Sequence, residues 1–422
     1  MRGARRIDAA ALLLTALMAV AATAAPPFKG LVLWPDEAKE HPELSKEISL
    51  EFSYLFPSDV VSGYENGAIR YDWTPLERLL DGMASRGHQA ILRFCLAYPG
   101  KGATGVPEFV KCSPGYKETF AANPNGDGPT WYPDWSHPNL RVFMLRFVAD
   151  FAARYDADPR IAFIEAGFGH WAEYHTCGTP LRPGRNFPAP EVQKAFFRKM
   201  AESFRQTPWL VSIDAADAEN SPLAADTGIL ALPFGLFDDS FMHREHDIAQ
   251  GDGYNERCWR AFGPDRWQEA PSGGEISYYS DKDQKDFLSP RGLYGVTFPE
   301  AAAKYHITFM IANDAISGPY ASPARFRDAA DACGYRFRLV RAEPDGTNLH
   351  IRIANDGTAP LYHDAHPALG PYTSPDTLRG LLPGATRDFV LPLPDPPPAD
   401  PASLLRLVSP KLLPGATIPL TR

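Results

Sequence analysis

Between Phe28 and about Ala332 the chain alternates short apolar runs with longer stretches whose apolar positions recur at helical spacing. Eight runs read as strands: Phe28–Trp34, Ile48–Leu55, Gln89–Ala97, Ile161–Phe168, Trp209–Asp214, Gly228–Phe237, Ser272–Tyr278 and His306–Ala312. Several are almost continuously apolar, as strands buried on both faces of a parallel sheet are. Helical stretches fill the gaps. One starts at Pro75 and ends near Gly87, and a second, Asn139 to Arg154, places Leu140, Phe143, Phe147 and Phe151 on one face. Others run from Pro190 to Phe204 and from Pro323 to Cys333, where Gly334 is a stop signal. The alternation predicts an α/β fold, and eight units favour a closed (β/α)8 TIM-type barrel. A doubly wound open sheet is the alternative, but no GxGxxG follows the first strand.

Past Gly334 the pattern shifts to period-two alternation. Tyr335–Ala342, Asn348–Asn355 and Asp388–Leu393 read as antiparallel strands between turns such as Pro344-Asp345-Gly346. Pro394, Pro396, Pro397 and Pro398 exclude a helix interior there. Residues 334–422 therefore read as a small β-sandwich following a barrel of residues 26–333.

At the N-terminus, Arg2, Arg5 and Arg6 precede an apolar run from Ala9 to Val20 and the small-residue triplet Ala22-Thr23-Ala24. This three-part pattern predicts a cleaved signal peptide within residues 1–25, and hence a periplasmic or secreted protein. Cleavage takes the formal charge from −9 to −11, because three arginines and one aspartate leave with the peptide. A net acidic chain argues against nucleic acid as partner, and no later segment predicts membrane insertion. Oligomeric state is not encoded in any visible pattern. Five cysteines (Cys95, Cys112, Cys177, Cys258, Cys333) allow one or two disulfides in an oxidising compartment, with Cys95 and Cys112 the nearest pair.

Barrel enzymes carry their reacting groups at the C-terminal ends of the strands. Two carboxylates stand out there. Glu173 lies in Gly167-Phe168-Gly169-His170-Trp171-Ala172-Glu173-Tyr174-His175, directly after the fourth strand. Aromatic faces stack on sugar C–H surfaces, and an apolar neighbour such as Trp171 raises a carboxyl toward general-acid range. Glu275 follows Gly273-Gly274 on the seventh strand, where two glycines permit close backbone approach. A carboxylate pair facing across a barrel mouth suits glycoside hydrolysis, one acid protonating the leaving oxygen and the other attacking or activating water. Arg93, in the third strand, is placed to orient a glutamate, and Glu165 to act as a partner behind the reactants. Asp238 and Asp239 close the sixth strand, and Asn313-Asp314 the eighth. Candidate substrate contacts are Arg93, Trp131, Trp135, His170, Trp171, Tyr174, His175, Asp239 and Asn313. No cofactor is expected. Nor is a metal, since His170, Glu173 and His175 match no known ligand spacing.

These residues resemble a bacterial family, domain of unknown function 4832, whose members look like glycosidase-type barrels followed by a β-sandwich. The resemblance is carried by the Gly167–His175 stretch, by Gly273-Gly274-Glu275, by Gly334-Tyr335-Arg336-Phe337 and by the run Leu407 to Gly415. More distantly the order of parts is similar to the clan of retaining barrel glycosidases. That likeness implies an acid/base at Glu173 and a nucleophile at Glu275. The clan's Asn before the acid/base is here Ala172. The expectation is an exported glycoside hydrolase acting on a poly- or oligosaccharide, retaining type favoured. The rival is a non-catalytic carbohydrate-binding protein on the same scaffold.

Overall fold

The computed structural model describes residues 25–124, 126–217, 221 and 223–422. The predicted signal peptide lies outside the described residues except for its last position. Eight parallel strands close into a barrel: β1 (Gly30–Leu33), β2 (Leu50–Leu55), β3 (Gln89–Phe94), β4 (Ile161–Ala166), β5 (Trp209–Ser212), β6 (Phe234–Phe241), β7 (Ser272–Ile276) and β8 (Phe309–Ile311). Each pairs with its neighbours in chain order, and β8 pairs with β1 through Gly30 and Phe309. The predicted helices appear as Thr74–Ser85, Pro138–Tyr155, Pro190–Ser203 and Pro323–Ala332. Their apolar faces, Phe143, Phe147 and Phe151 among them, are buried against the barrel wall.

The sixth strand departs from expectation. Asp226 accepts hydrogen bonds from the N–H groups of Gly228 and Ile229 at 3.0 and 3.1 Å, which caps a helical turn, Thr227–Leu230. Asx capping outcompetes the β-type run there. The strand begins only at Phe234, so Asp238 and Asp239 lie inside it rather than at its end.

The chain then forms two further sheets. The larger contains β9 (Phe337–Asp345), β10 (Asn348–Asn355), β13 (Thr386–Pro392) and β15 (Leu420–Thr421). The smaller contains β11 (His366–Leu369), β12 (Tyr372–Thr373) and β14 (Leu405–Val408). Their apolar residues share one cluster with the barrel floor: Ile351, Leu361, Phe389 and Leu407 join Phe28, Phe163 and Phe309. The ring of His363 lies 4.2 Å from that of Phe28, tilted by 30°, and 5.4 Å from that of Phe163.

Lys411 fastens this region to the barrel's N-terminal end. Its buried ammonium donates to Asp156 O at 3.0 Å, Asp158 O at 2.6 Å and Thr207 Oγ1 at 2.9 Å. Gln89 donates to Lys411 O at 2.8 Å. The added sheets thus sit on the face opposite the strand C-termini and brace the barrel. All five cysteines are free, and the nearest pair is split between buried Cys95 and exposed Cys112. Among the described residues no helix is long and apolar enough to cross a membrane.

Replacing Lys411 with methionine keeps the stem but leaves buried acceptors unpaired, which costs about 1–3 kcal/mol. Urea unfolding of Lys411→Met is expected to show that loss. An unchanged midpoint would mean that the ammonium is not what secures the interface.

Candidate active site

The barrel register places the site's centre. Tyr54 on β2, Arg93 on β3 and Glu165 on β4 are lateral partners in adjoining strands. In a parallel sheet such partners project to the same side. Here that side is the barrel interior. Below them the rings of Phe237 and Phe52 lie 4.3 and 4.9 Å from the guanidinium carbon of Arg93. Arg93 is fully buried on this aromatic floor.

Its three nitrogens are divided among three carboxylates. Nε donates to Glu165 at 2.6 Å, Nη1 to Glu173, and Nη2 to Glu275 at 2.9 Å. Tyr54 Oη lies 3.4 Å from Nη1. One planar cation therefore ties together the acid of the β4 loop and the acid of β7. The guanidinium's fixed fork suits this role, where a point charge on a lysine would not.

Glu173 reaches the centre through a tight loop. His170 N–H donates to His175 O at 2.8 Å, Tyr174 N–H to Phe168 O at 2.8 Å, and Trp171 N–H to Ala97 O at 3.0 Å. Trp171, Ala172 and Tyr174 all hold left-handed backbone, with φ of 51°, 70° and 67°. Such residues persist only where surrounding contacts over-determine them, and they cluster at functional sites. A Cβ on Gly167 would lie 2.0 Å from Ala172 O, and one on Gly169 2.3 Å from His175 O, so neither position admits a side chain. On β7 a Cβ at Gly274 would lie 2.0 Å from Asp238 O, which explains the glycine before Glu275.

The charges do not balance. Glu165, Glu173, Glu275 and Asp239 surround Arg93 and His175, and every one of these carboxyls is shifted upward. Burial pushes Glu173 well above the carboxylate range, and the charge of Asp239 adds to it against the pull of Arg93. Glu275 is also raised, first by burial, while Arg93 and a hydrogen bond from the Glu173 carboxyl hold it down. Burial and the charge of Asp214 bring Asp239 to about 6. The environments of Glu173 and Glu275 are therefore unequal: one favours a retained proton, the other is better compensated. Burial works against charge on His175, but Asp214 and Cys177 outweigh it and carry the imidazole well above its ordinary value.

The remaining predicted residues divide. Trp171 is half-buried at the rim, edge-on to Tyr98 at 6.4 Å and to His175 at 6.2 Å. Asp239 and His175 are half-buried beside Glu173, with donor atoms of the three within 4.8 Å of one another. Asn313 is buried and donates to Ile276 O, linking the tops of β7 and β8. Trp131 packs against exposed Phe120 at 4.8 Å on a hairpin outside the barrel. Three expectations are corrected. Trp135 packs edge-on to Phe168 in the core, Tyr174 is enclosed by Phe168, Phe187 and Phe197, and His170 is fully buried. None presents a ring face on which a substrate could lie. Asp238 is likewise spent on Ser240 N, Asn255 Nδ2 and Trp259 Nε1.

Other residues of the site were not singled out from sequence. Tyr54, Trp34, Phe56 and Tyr98 line an open groove of about 550 Å³ with Lys101 at its edge, and Tyr54 links it to Arg93. Tyr278 and Tyr279, both exposed, directly follow β7. Tyr279 stacks on His243 at 4.2 Å, and His243 in turn bonds buried Asp283 at 3.0 Å. Aromatic residues at strand ends carry no periodic signal, so only the fold brings them together.

No protein-family model matches the sequence, and no curated protein matches it. Among solved structures, the fold is similar to endo-glycoceramidase II from Rhodococcus sp., at 11% identity over 87% of this chain and 97% of that one, with a TM-score of 0.44. It is also similar to the GH39 beta-xylosidase from Caulobacter crescentus, at 14% identity over 82% and 81%, TM-score 0.37. A third is the exo-beta-1,4-mannosidase Op5Man5 from an Opitutaceae bacterium, at 13% identity and TM-score 0.40; the chain spans 56% of its length. Likenesses this remote bear no argument about activity, which must come from the site itself.

Arg93→Leu would leave three buried carboxyls facing one another. Breaking a buried pair costs about 3–5 kcal/mol. The carboxyls of this variant bind protons more tightly folded than unfolded, so its stability falls as pH rises. Denaturation at about pH 5 and about pH 8 should show the larger loss at the higher pH. Equal losses at both would contradict the charge imbalance.

Proposed function

We propose that the chain is an exported glycoside hydrolase of the domain of unknown function 4832 kind, acting on a poly- or oligosaccharide. The observation that carries this reading is the joining of Glu173 and Glu275, from the β4 and β7 sides of the barrel mouth, by one guanidinium. Glu173, kept protonated by burial, gives its proton to the glycosidic oxygen as that bond breaks. Glu275, compensated by Arg93, attacks the anomeric carbon with its free oxygen and forms a glycosyl-enzyme ester. Glu173, now ionised, takes a proton from water, which hydrolyses the ester. Attachment of the two carboxyls to the two terminal nitrogens of one guanidinium favours the short separation of retaining enzymes, about 5–5.5 Å, over the wider inverting gap. With Ala172 in place of asparagine, the 2-hydroxyl contact falls to another residue; the Tyr54 hydroxyl, already beside Arg93, is placed for it.

The groove lined by Trp34, Tyr54 and Tyr98 gives sugar rings apolar faces to lie on. The two sheets of residues 337–421 pack as a sandwich that supports the barrel from below, away from substrate. Export rests on the N-terminal signal pattern, and N-terminal sequencing of the protein recovered outside the cytoplasm should start at Ala25. Recovery of a chain still beginning at Met1 would count against it.

One observation favours the rival reading of a binding protein. The side chains of Glu173 and Glu275 are each only 5% exposed. A polysaccharide panel assayed for both heat of binding and released reducing ends separates the two. Hydrolysis by the unaltered protein is expected, lowered about 10²–10⁴-fold in Glu173→Gln and at least as far in Glu275→Gln, with melting temperatures little changed. Azide should restore turnover of an aryl glycoside to Glu173→Ala but not to Glu275→Gln. Binding without turnover by the unaltered protein would establish the rival, and full activity in either glutamine variant would remove that residue from the mechanism.

A further inference from the structure

The loop that carries Glu173 gathers a second set of groups. One donor atom each from His170, His175 and Cys177 lies within 4.8 Å of the other two. The hydrogen bonds around them decide which atoms are available. Tyr132 Oη receives the Cys177 N–H at 2.7 Å and gives its single proton to Cys177 O at 3.0 Å. With the hydroxyl proton on Cys177 O, its 3.3 Å contact with His170 Nδ1 takes the imidazole as donor. That assigns the proton of His170 to Nδ1 and the lone pair to Nε2. His170 Nε2 is buried and has no hydrogen-bond partner among the described residues. A buried acceptor left in this state costs about 1–3 kcal/mol, and such an atom calls for a ligand. On His175, Nδ1 faces Glu173 O at 3.2 Å and Asp214 at 3.9 Å, so neither contact uses Nε2.

We propose that His170 Nε2, His175 Nε2 and Cys177 Sγ bind a zinc-class divalent cation, with a fourth position open to water. Two imidazoles and a thiol form a borderline-soft donor set of the kind zinc takes with three protein ligands. Each ring is held from behind by a hydroxyl or carbonyl oxygen, as metal-ligating histidines are. Tetrahedral bonds of about 2.0–2.3 Å set donors roughly 3.3–3.8 Å apart, so the site closes by a side-chain movement of about 1 Å. The neighbouring trio Glu173, His175 and Asp239 is a poorer candidate, because Glu173 is engaged by Arg93 and the trio has no orphaned nitrogen. His170 and Cys177 lie outside the hydrolytic pair, so the inference stands whether or not the chain cleaves glycans. Sequence spacing hid the site: Tyr132, on a hairpin some forty residues earlier, is what positions both His170 and Cys177.

The test is titration of reduced, chelator-treated protein with cobalt(II), followed by optical absorption and displaced by zinc(II). A thiolate-to-cobalt charge-transfer band with tetrahedral ligand-field bands is expected, saturating at one ion per chain. Cys177→Ser should abolish the charge-transfer band, and His170→Asn should weaken binding by at least about tenfold. Asp239→Asn should leave both unchanged. Absence of the band in the unaltered protein would overturn the proposal. So would a band that survives Cys177→Ser, or cobalt binding lost in Asp239→Asn but kept in Cys177→Ser. Cys177 is half-buried rather than core, so the serine variant reports on the site without demanding a refolded interior.

Discussion

A single guanidinium neutralises one unit of charge, yet Arg93 holds three carboxyl groups in the dry upper barrel. This mismatch governs the site. The carboxyls cannot all ionise, so the cluster retains a proton at neutral pH, and the unequal surroundings of Glu173 and Glu275 decide where it rests. Half-buried Asp239 adds negative charge that raises both glutamates, ranking ahead of Arg93 for Glu173 and behind it for Glu275. The floor of Phe52 and Phe237 keeps water away from below and contributes a π-face to the cation. The acid and nucleophile proposed for the site thus follow from one arrangement rather than from two separately tuned groups.

The rest of the fold serves to hold that arrangement still. Arg93 and Glu165 share a register layer of the barrel, which is rigid because every strand is paired on both sides. Glu173 has no strand beneath it and depends instead on a loop of left-handed residues locked by backbone hydrogen bonds and two enclosed glycines. At the opposite face, Lys411 and the aromatic rings packed around His363 close the barrel bottom. A site built on rigid elements and sealed at one end opens only toward the strand C-termini.

Much of this was legible in the sequence, for physical reasons. Continuous apolar runs mark strands buried on both faces, so the barrel could be read with seven of its strands close to their final limits. Gly273-Gly274 ahead of Glu275, and Arg93 inside an apolar strand, were conspicuous because such residues are costly unless something requires them. Other features were not legible. Aromatic density around Glu173 does not say which rings face inward, and Trp135 and Tyr174 turned out to be core. The start of β6 was hidden because Asp226 caps a turn within a β-type run. Tyr54 and Tyr98 meet only because β2 and β3 lie side by side in the folded barrel.

The most direct measurement is infrared absorption of the protonated carboxyl C=O stretch at neutral pH, in the unaltered protein and in Glu173→Gln. Buried Asp238, raised to about 8, contributes to the protonated-carboxyl absorption of both proteins, and the difference between them should show one such band lost in the second. A spectrum with no protonated carboxyl, or one unchanged by the substitution, would contradict the proton-sharing cluster on which the catalytic reading depends.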